Sequence, residues 1–189
     1  SAGMLGAYWG HYSMWMKQVR PAASIHLLEP NEHNLNVGKA NFAANGYEAR
    51  FTLASVGPDG FELDRYMADE GLSELTLLHS DIQGAEIDLM EGAHKTLAGR
   101  KVGYWFVSTH SQGIHHRVKR ELFDAGYRIE VSADWREETT SFDGFILAVR
   151  PDLPTIFDGL KPPGRTEIVQ SSPRKLVAFL GRAISGADG

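Results

Sequence analysis

A short apolar run that ends in an acidic turn, at residues 75–86, constrains the fold of this chain more than any other feature. Residues 75–80 predict a buried strand, a turn with Gly84 follows it, and a helix begins near Ala85. A strand, a tight turn and a helix in this order are typical of a parallel α/β sheet. Because ligands bind beyond the carboxyl ends of such strands, Asp81 is either an active-site carboxylate or a cap of the turn or helix. The apolar face of the helix carries Ile87, Met90, Ala93 and Leu97.

Length and composition favour one soluble domain. A chain of 189 residues with 42% hydrophobic and 23% charged residues is long enough for one well-packed core. The net charge of −5 argues against nucleic acid or an anionic membrane as the main partner. Without cysteine, the chain forms neither disulfides nor thiolate metal sites. No apolar run approaches the roughly 20 residues that span a bilayer, and no signal peptide is visible, so we expect a cytoplasmic protein.

The start of the chain contains two glycines four positions apart, Gly6 and Gly10. Glycines at this spacing let a backbone loop approach a ligand closely, with a helix opening behind the loop. We expect the neighbouring aromatic pair, Tyr8 and Trp9, in the core or in a pocket wall. The predicted buried face of the helix consists of Met14, Trp15 and Val19.

An acidic residue ends the second predicted strand. Glu29 follows the apolar residues 25–28, and Asn31 is a good N-cap for the next helix. An acid about 20 residues after a glycine-rich turn is placed to accept both hydroxyls of a ribose. The alternative is a surface glutamate stabilised by the helix dipole. In combination with the glycine loop, we favour the ribose role.

The later strands end in further polar residues. A third strand is predicted over residues 48–56, and a fifth over residues 102–110 ends at His110. Residues 127–131 and 145–149 predict two strands with no helix between them, only a polar connector at residues 134–140. We therefore expect an antiparallel pair at the sheet edge. His115 and His116 are neighbours on a helix and point about 100° apart, so we do not expect them to share a metal.

The chain divides into a domain at residues 1–150 and a C-terminal part at residues 151–189. Prolines and glycines are frequent up to residue 170, which predicts a surface tail. Ser172 and Pro173 then begin an amphipathic helix. This helix packs against one of three surfaces: its own domain, a second copy of the chain, or a neighbouring domain.

These features together resemble the seven-stranded methyltransferase fold that uses S-adenosylmethionine. More narrowly, SDIQGAE at residues 80–86, with MEGA at residues 90–93, resembles the strand-four signature of the FkbM family of methyltransferases. Residues 28–30 with Asn34 and Leu35 resemble the family's ribose segment, and residues 6–13 resemble its first loop. The resemblance covers roughly residues 5–149.

The resemblance implies a Rossmann-like class I methyltransferase sheet, mostly parallel, with an antiparallel C-terminal strand pair. It also implies S-adenosylmethionine as cofactor and O-methylation of a small-molecule or sugar hydroxyl, as in natural product biosynthesis. The residues it assigns to cofactor binding are Gly6, Ala7, Tyr8, Gly10, Ser13, Glu29, Pro30, Asn34, Ser55, Asp81 and Gln83.

The chain departs from the family pattern at its first strand. The family's loop follows a complete strand that carries an acid before Leu-Gly, whereas Met4 stands at that position here with three residues before it. We therefore expect a truncated first strand in the middle of the sheet. If the strand were absent altogether, neighbouring strands would lose main-chain partners, at about 1–3 kcal/mol for each buried unpaired group.

Methyl transfer to a hydroxyl needs a group that removes the proton. His110 and Asp81 end adjacent strands, and the methyl group points toward these strand ends in this fold. We therefore predict His110 as general base. Asp81 would orient His110, hold the substrate hydroxyl or lie near the sulfonium. A metal held by Asp81, His110 and Asp143 is the second choice, behind a metal-free mechanism. Glu86 is predicted to stabilise the helix dipole at Ala85, and it is close enough in sequence to reach the pocket.

Two functions from other classes remain as alternatives. A nicotinamide-dependent oxidoreductase shares the glycine loop and the ribose acid, but the glycines do not fit Gly-x-Gly-x-x-Gly. A non-catalytic binding module would keep the fold and use the C-terminal helix for a partner, and the shortened first strand is its main support.

Overall fold

A mostly parallel sheet forms the centre of the protein in the computed structural model, which describes residues 1–134, 142–157 and 164–185, the last four as backbone only. Most of the predicted polar connector, residues 135–140, and the prolines Pro162 and Pro163 lie outside these ranges. The strands are β1 Ala2–Leu5, β2 Ile25–Glu29, β3 Arg50–Leu53, β4 Leu75–Ser80, β5 Val102–Thr109, β6 Arg128–Ala133 and β7 Gly144–Val149. The helices are α1 His11–Val19, α2 Glu32–Ala44, α3 Leu63–Asp69, α4 Glu86–Glu91, α5 His94–Ala98, α6 Gln112–Asp124, α7 Arg165–Gln170 and α8 Pro173–Ser185.

The strand order agrees with the predicted fold class. Within the described ranges the strands form one sheet in the order β3-β2-β1-β4-β5-β7-β6. The first five strands in chain order are parallel, and β7 runs antiparallel to both β5 and β6. The predicted antiparallel pair at the sheet edge is therefore confirmed, with β7 inserted between β5 and β6.

The first strand is short but present. β1 pairs with β2 on one side and with β4 on the other, and all four of its residues are buried. The ladder continues past both ends, because Thr76 N–H donates to the Ser1 carbonyl at 2.8 Å and Asp81 N–H donates to the Leu5 carbonyl at 3.0 Å. The condition for a loss of main-chain partners in the neighbouring strands is thus not met, because four residues and their flanks connect β2 to β4.

Apolar residues pack on both faces of the sheet. The larger cluster contains Trp105 and Val107 of β5, both fully buried, together with residues of α3 to α6. The smaller cluster contains Met4 and Leu27 beside Phe42 of α2. Side chains alternate between the two faces of a strand, so β1, β2 and β4 each contribute to both clusters.

The buried face of α1 differs from the prediction. Trp15 and Val19 are 66% and 60% exposed, whereas Ser13 is buried and Met14 and Met16 pack against the smaller cluster. Apolar residues surround this nine-residue helix, so periodicity could not identify the side that faces the sheet.

The helix predicted from Ala85 to Leu97 is two helices, α4 and α5. The carboxylate of Asp64 explains the break, because it accepts hydrogen bonds from the N–H groups of Lys95 and Thr96, each at 2.7 Å. These bonds satisfy free donors in the first turn of α5 and start a new helix there.

The C-terminal part contains two helices instead of one. The predicted surface tail includes α7, and the predicted amphipathic helix is α8. Their apolar side chains stand largely in solvent, with Val169, Val177 and Leu180 all more than half exposed. Among the described helices, none has the length and apolar character that crossing a bilayer requires.

Candidate functional site

A cleft of about 570 Å³ opens at the carboxyl ends of β1, β2 and β4. Ten of the predicted cofactor-binding residues line it: Gly6, Ala7, Tyr8, Ser13, Glu29, Pro30, Asn34, Ser55, Asp81 and Gln83. Gly10 does not line the cleft. Its φ of 78° makes the turn into α1, and a side chain there would press on the ring of Phe42.

Gly6 makes the turn from β1 into the loop. Its φ is 72°, and a β-carbon at this position would overlap the carbonyl oxygen of Asp81. The N–H groups of Gly6 and Ala7 both donate to the Leu28 carbonyl, at 3.0 and 2.9 Å. A residue without a side chain therefore brings the loop, β2 and the end of β4 together at the floor of the cleft.

Glu29 holds the same loop from the other side. Its Oε2 accepts from Tyr8 N–H at 2.9 Å, and its Oε1 accepts from Asn31 N–H at 3.1 Å and more weakly from the Asn34 amide at 3.4 Å. Glu29 is only 6% exposed, so these bonds fix a buried carboxylate at the cleft wall. Three of the roughly four acceptor positions of the carboxylate are used, and the one left on Oε2 can receive a hydroxyl donor.

Tyr12 and His79 line the cleft although the sequence did not assign them to the site. Tyr12 lines the cleft with its ring centroid 5.4 Å from that of His79, and the rings of Tyr8 and Trp9 stack at 4.5 Å. Burial lowers the pKa of His79, which favours its neutral form at neutral pH. The alternation of side chains along β4 could have indicated His79, because residues 79 and 81 fall on the same side of an extended strand.

His110 lies beside the cleft, surrounded by carboxylates. Its Nδ1 is 2.5 Å from Glu86 Oε1, and its Nε2 is 3.2 Å from Asp81 Oδ1 and 3.6 Å from Asp143 Oδ1. The topology explains the convergence. β4 and β5 are parallel neighbours, so Asp81 and His110 follow adjacent strand ends, and Gly144 at the start of β7 pairs with Thr109 at the end of β5.

Glu86 has a role that the sequence did not reveal. It lies in the first turn of α4, as the dipole interpretation predicts, but it is completely buried and its carboxylate contacts His110. The same Oε1 accepts a bond of 3.3 Å from Gly84 N–H. The acidic group that orients His110 thus comes from the helix and not from a strand end.

Two groups of residues could hold a ligand. The loop at residues 6–8 and Glu29 fit the nucleoside part of a cofactor, because they offer backbone groups and a buried acceptor. Asp81, His110 and Asp143 could hold a metal, since each offers a ligand atom and these atoms all lie within 4.8 Å of one another.

The histidines of α6 have separate environments. His115 is buried, and its Nδ1 and Nε2 bond to the hydroxyls of Thr109 and Ser132 at 2.9 and 3.0 Å. Burial lowers its pKa to about 4, with a smaller contribution from Lys119. His116 is exposed and bonds to Gln112. His115 therefore connects α6 to the sheet as a neutral side chain.

Comparisons with solved structures identify the fold. The ribosomal protein L11 methylase of Lactobacillus delbrueckii subsp. bulgaricus is similar over 79% of this chain and 69% of its own, with a TM-score of 0.55 and 14% identity. Fibrillarin of Aeropyrum pernix, solved with natively bound S-adenosyl-L-methionine, is similar over 78% and 65%, with a TM-score of 0.56 and 16% identity. M. capricolum TrmK, solved with S-adenosyl-homocysteine, is similar over 98% and 77%, with a TM-score of 0.54 and 13% identity.

The fold is therefore that of the class I S-adenosylmethionine-dependent methyltransferases. No family model and no curated protein matches the sequence. Membership of the FkbM family, which the motif at residues 80–86 predicts, stays a prediction.

Proposed function

We propose that this protein transfers a methyl group from S-adenosylmethionine to a hydroxyl of a small molecule or sugar, as its resemblance to the FkbM family implies. One observation carries the proposal: a cleft with a glycine loop and a buried ribose-type acid adjoins an imidazole held by a carboxylate. The first part suits a nucleoside cofactor, and the second suits removal of a proton from an acceptor.

The residues of the cleft fit the cofactor. Glu29 would accept the ribose hydroxyls, and the backbone at residues 6–8 would lie against the rest of the nucleoside. When bound, S-adenosylmethionine supplies an electrophilic methyl group on a sulfonium. Two of the similar structures were solved with this cofactor or its product, which supports the same ligand here.

His110 is the group we propose for proton removal. With Nδ1–H donating to Glu86, Nε2 presents its lone pair on the side of Asp81, which lines the cleft. As the acceptor oxygen forms its bond to the methyl carbon and the carbon–sulfur bond breaks, the hydroxyl proton passes to Nε2. Glu86 would fix the tautomer and orientation of the ring, as carboxylates do for catalytic histidines in hydrolases.

The two alternatives have less support. A nicotinamide-binding sheet of the usual doubly wound kind has the order 3-2-1-4-5-6, without an antiparallel strand between the last two. Here β7 occupies that place. The binding-module alternative depended on a defective first strand, and β1 is paired on both sides.

Calorimetric titration with S-adenosylhomocysteine tests the cofactor site. We expect micromolar binding to the unmodified chain, no comparable binding of NAD⁺, and a loss of about tenfold or more in Glu29→Gln, because a carboxylate bonds hydroxyls more strongly than an amide does. Glu32→Gln is the matched control, since Glu32 is exposed on the next helix. Failure of the unmodified chain to bind S-adenosylhomocysteine would contradict the proposal.

A methyl-transfer screen then tests the acceptor class. With S-adenosylmethionine labelled in the methyl group, we expect label in hydroxyl-bearing small molecules or sugars and less than about 1% of that rate in His110→Ala, as for the loss of a general base. Label that enters only amines would contradict O-methylation.

A further inference from the structure

We propose that Asp81, His110 and Asp143 bind one divalent transition-metal ion of the Mn²⁺ or Zn²⁺ type at the acceptor side of the cleft. The use of this ion in catalysis rests on the proposed function. Its binding does not, because the ligands are this chain's own residues and can be tested without cofactor or acceptor.

The spacing of the ligand atoms already fits an ion. Atoms about 2.1 Å from a common ion stand roughly 3.0 Å apart at a right angle and about 3.4 Å apart in a tetrahedral site. His110 Nε2 is 3.2 Å from Asp81 Oδ1 and 3.6 Å from Asp143 Oδ1. Small side-chain adjustments would therefore bring the three groups onto one ion.

The chemistry of the facing atoms also favours an ion. Carboxylates only accept hydrogen bonds, and a neutral imidazole that donates from Nδ1 presents a lone pair at Nε2. Because Nδ1 faces Glu86, Nε2 and the oxygens of Asp81 and Asp143 would be acceptors turned toward one another. A proton on Nε2 would form a strong bond to only one oxygen, whereas an ion between the groups would bind all three.

The local charge points in the same direction. Three carboxylates lie within 3.6 Å of one imidazole, so acidic groups are concentrated around His110. Glu86 is completely buried, and its Oε2 has no hydrogen-bond partner. In the ranges that the structure describes, no lysine or arginine is ion-paired with Asp81 or Glu86. A divalent cation would balance this charge.

Glu86 completes the arrangement. Histidines that bind metals usually donate their other ring N–H to a carboxylate, which fixes the ring and makes the coordinating nitrogen more basic. The contact of 2.5 Å between His110 Nδ1 and Glu86 Oε1 has this form. One nitrogen and two carboxylate ligands suit Mn²⁺ or Zn²⁺ better than Ca²⁺ or Mg²⁺, which prefer oxygen alone.

An ion at this position would change how the acceptor loses its proton. A hydroxyl oxygen bound to the ion becomes more acidic, as metal-bound water does. In the metal-bound protein His110 would be a ligand. The ion would then promote loss of the hydroxyl proton, which Nε2 would accept in the metal-free protein. The bonds that form and break in methyl transfer stay the same.

The test is a titration of the full chain, free of any affinity tag and treated with chelator, with Mn²⁺ followed by the electron paramagnetic resonance of the free ion. It is run with and without S-adenosylhomocysteine, and Zn²⁺ is then added as competitor. We expect one Mn²⁺ per chain in at least one condition and displacement by Zn²⁺. Affinity should fall at least tenfold in His110→Ala and Asp143→Asn and about 10- to 100-fold in Glu86→Gln. His116→Ala and Asp124→Asn, two exposed residues of α6, are the matched controls and should bind as the unmodified chain does.

Absence of Mn²⁺ binding in both conditions, or binding that the three variants leave unchanged, would overturn the proposal. Asp143→Glu serves as a second variant, because it keeps a carboxylate and should retain more affinity than Asp143→Asn. Calorimetry with S-adenosylhomocysteine on the same samples shows which idea fails. Cofactor-product binding without an ion site would overturn the ion alone, and an ion site without it would overturn the proposed function.

Discussion

His115 shows how a single buried side chain can make the stability of this protein depend on pH. It bonds to the hydroxyls of Thr109 and Ser132, and burial lowers its pKa to about 4 from the usual 6.5. Unfolding returns the ring to water, where it gains a proton below pH 6.5. Its contribution to stability is therefore complete above that pH and is lost as the pH falls toward 4.

We expect this histidine to remove about 2 kcal/mol from the free energy of unfolding between pH 7 and pH 5. Urea unfolding of the unmodified chain and of His115→Gln at both pH values measures this contribution. Glutamine keeps a polar side chain that does not titrate. The difference in pH dependence between the two proteins is the result of interest. His116→Gln should keep the full pH dependence, and an unchanged slope in His115→Gln would contradict the assignment.

Individual site residues differ in how well the sequence revealed them. Asp81 and His110 were predictable because each follows an apolar strand, and strand ends meet at one edge of a parallel sheet. Glu86 was not, because its burial depends on how α4 packs against α6 and β5, and an acid in a first helical turn usually faces solvent. The contact with Glu86 is also what makes the metal interpretation stronger than the sequence alone allowed.

Among the elements, α5 depends on a cap from a distant residue. Asp64 in the first turn of α3 accepts from two N–H groups of α5, more than 30 positions later in the chain. This connects two helices that both pack on the larger core cluster. Residue propensities near Gly92 could not predict the break, because the group that starts α5 comes from another part of the sequence.

Asp64→Ala should lower the free energy of unfolding by about 1–2 kcal/mol, as the loss of a helix cap does. Urea denaturation at pH 7 measures this change. Asp69→Ala, at the exposed end of α3, is the matched control and should stay within about 0.5 kcal/mol of the unmodified chain. Equal effects of the two substitutions would show that the bonds to Lys95 and Thr96 contribute little.

Other elements show the limits of pattern reading. The strands followed from apolar runs and their bounding turns, and β1 was underestimated because four residues give little periodicity. The face of α1 was wrong because apolar residues surround the helix. Short and flanked by glycine and serine, α7 has too few residues for a periodic signal.

At the scale of the whole molecule, two hydrogen bonds near residue 157 connect the C-terminal part of the chain to the sheet. The chain is held to the sheet as far as Phe157, whose N–H donates to Glu130 Oε2 at 3.2 Å, as does that of Ile156 at 2.9 Å. Beyond that point Val169, Val177 and Leu180 are more than half exposed. The predicted boundary near residue 150 stays a prediction, and so do the three predicted surfaces for α8.

A chain that ends after Phe157 should therefore unfold within about 2 °C of the full chain, which corresponds to less than about 0.5 kcal/mol. Differential scanning calorimetry measures the midpoint. A chain that ends after Leu153 is the control and should lose more, because Glu130 would be left buried without the two N–H donors. A large drop in the unfolding midpoint of the chain that ends after Phe157 would place α7 and α8 within the cooperative unit.

The position of β7 also separates the site along the sequence. Every described residue that lines the cleft comes from positions 4–85, whereas the cluster around His110 needs residues as late as Asp143. The proposed acceptor side therefore combines Asp81 and Glu86 with His110 and Asp143 from later in the chain. Substitutions after α4 could change the acceptor side and leave the described residues of the cofactor cleft unchanged, a route by which one sheet can serve many acceptors.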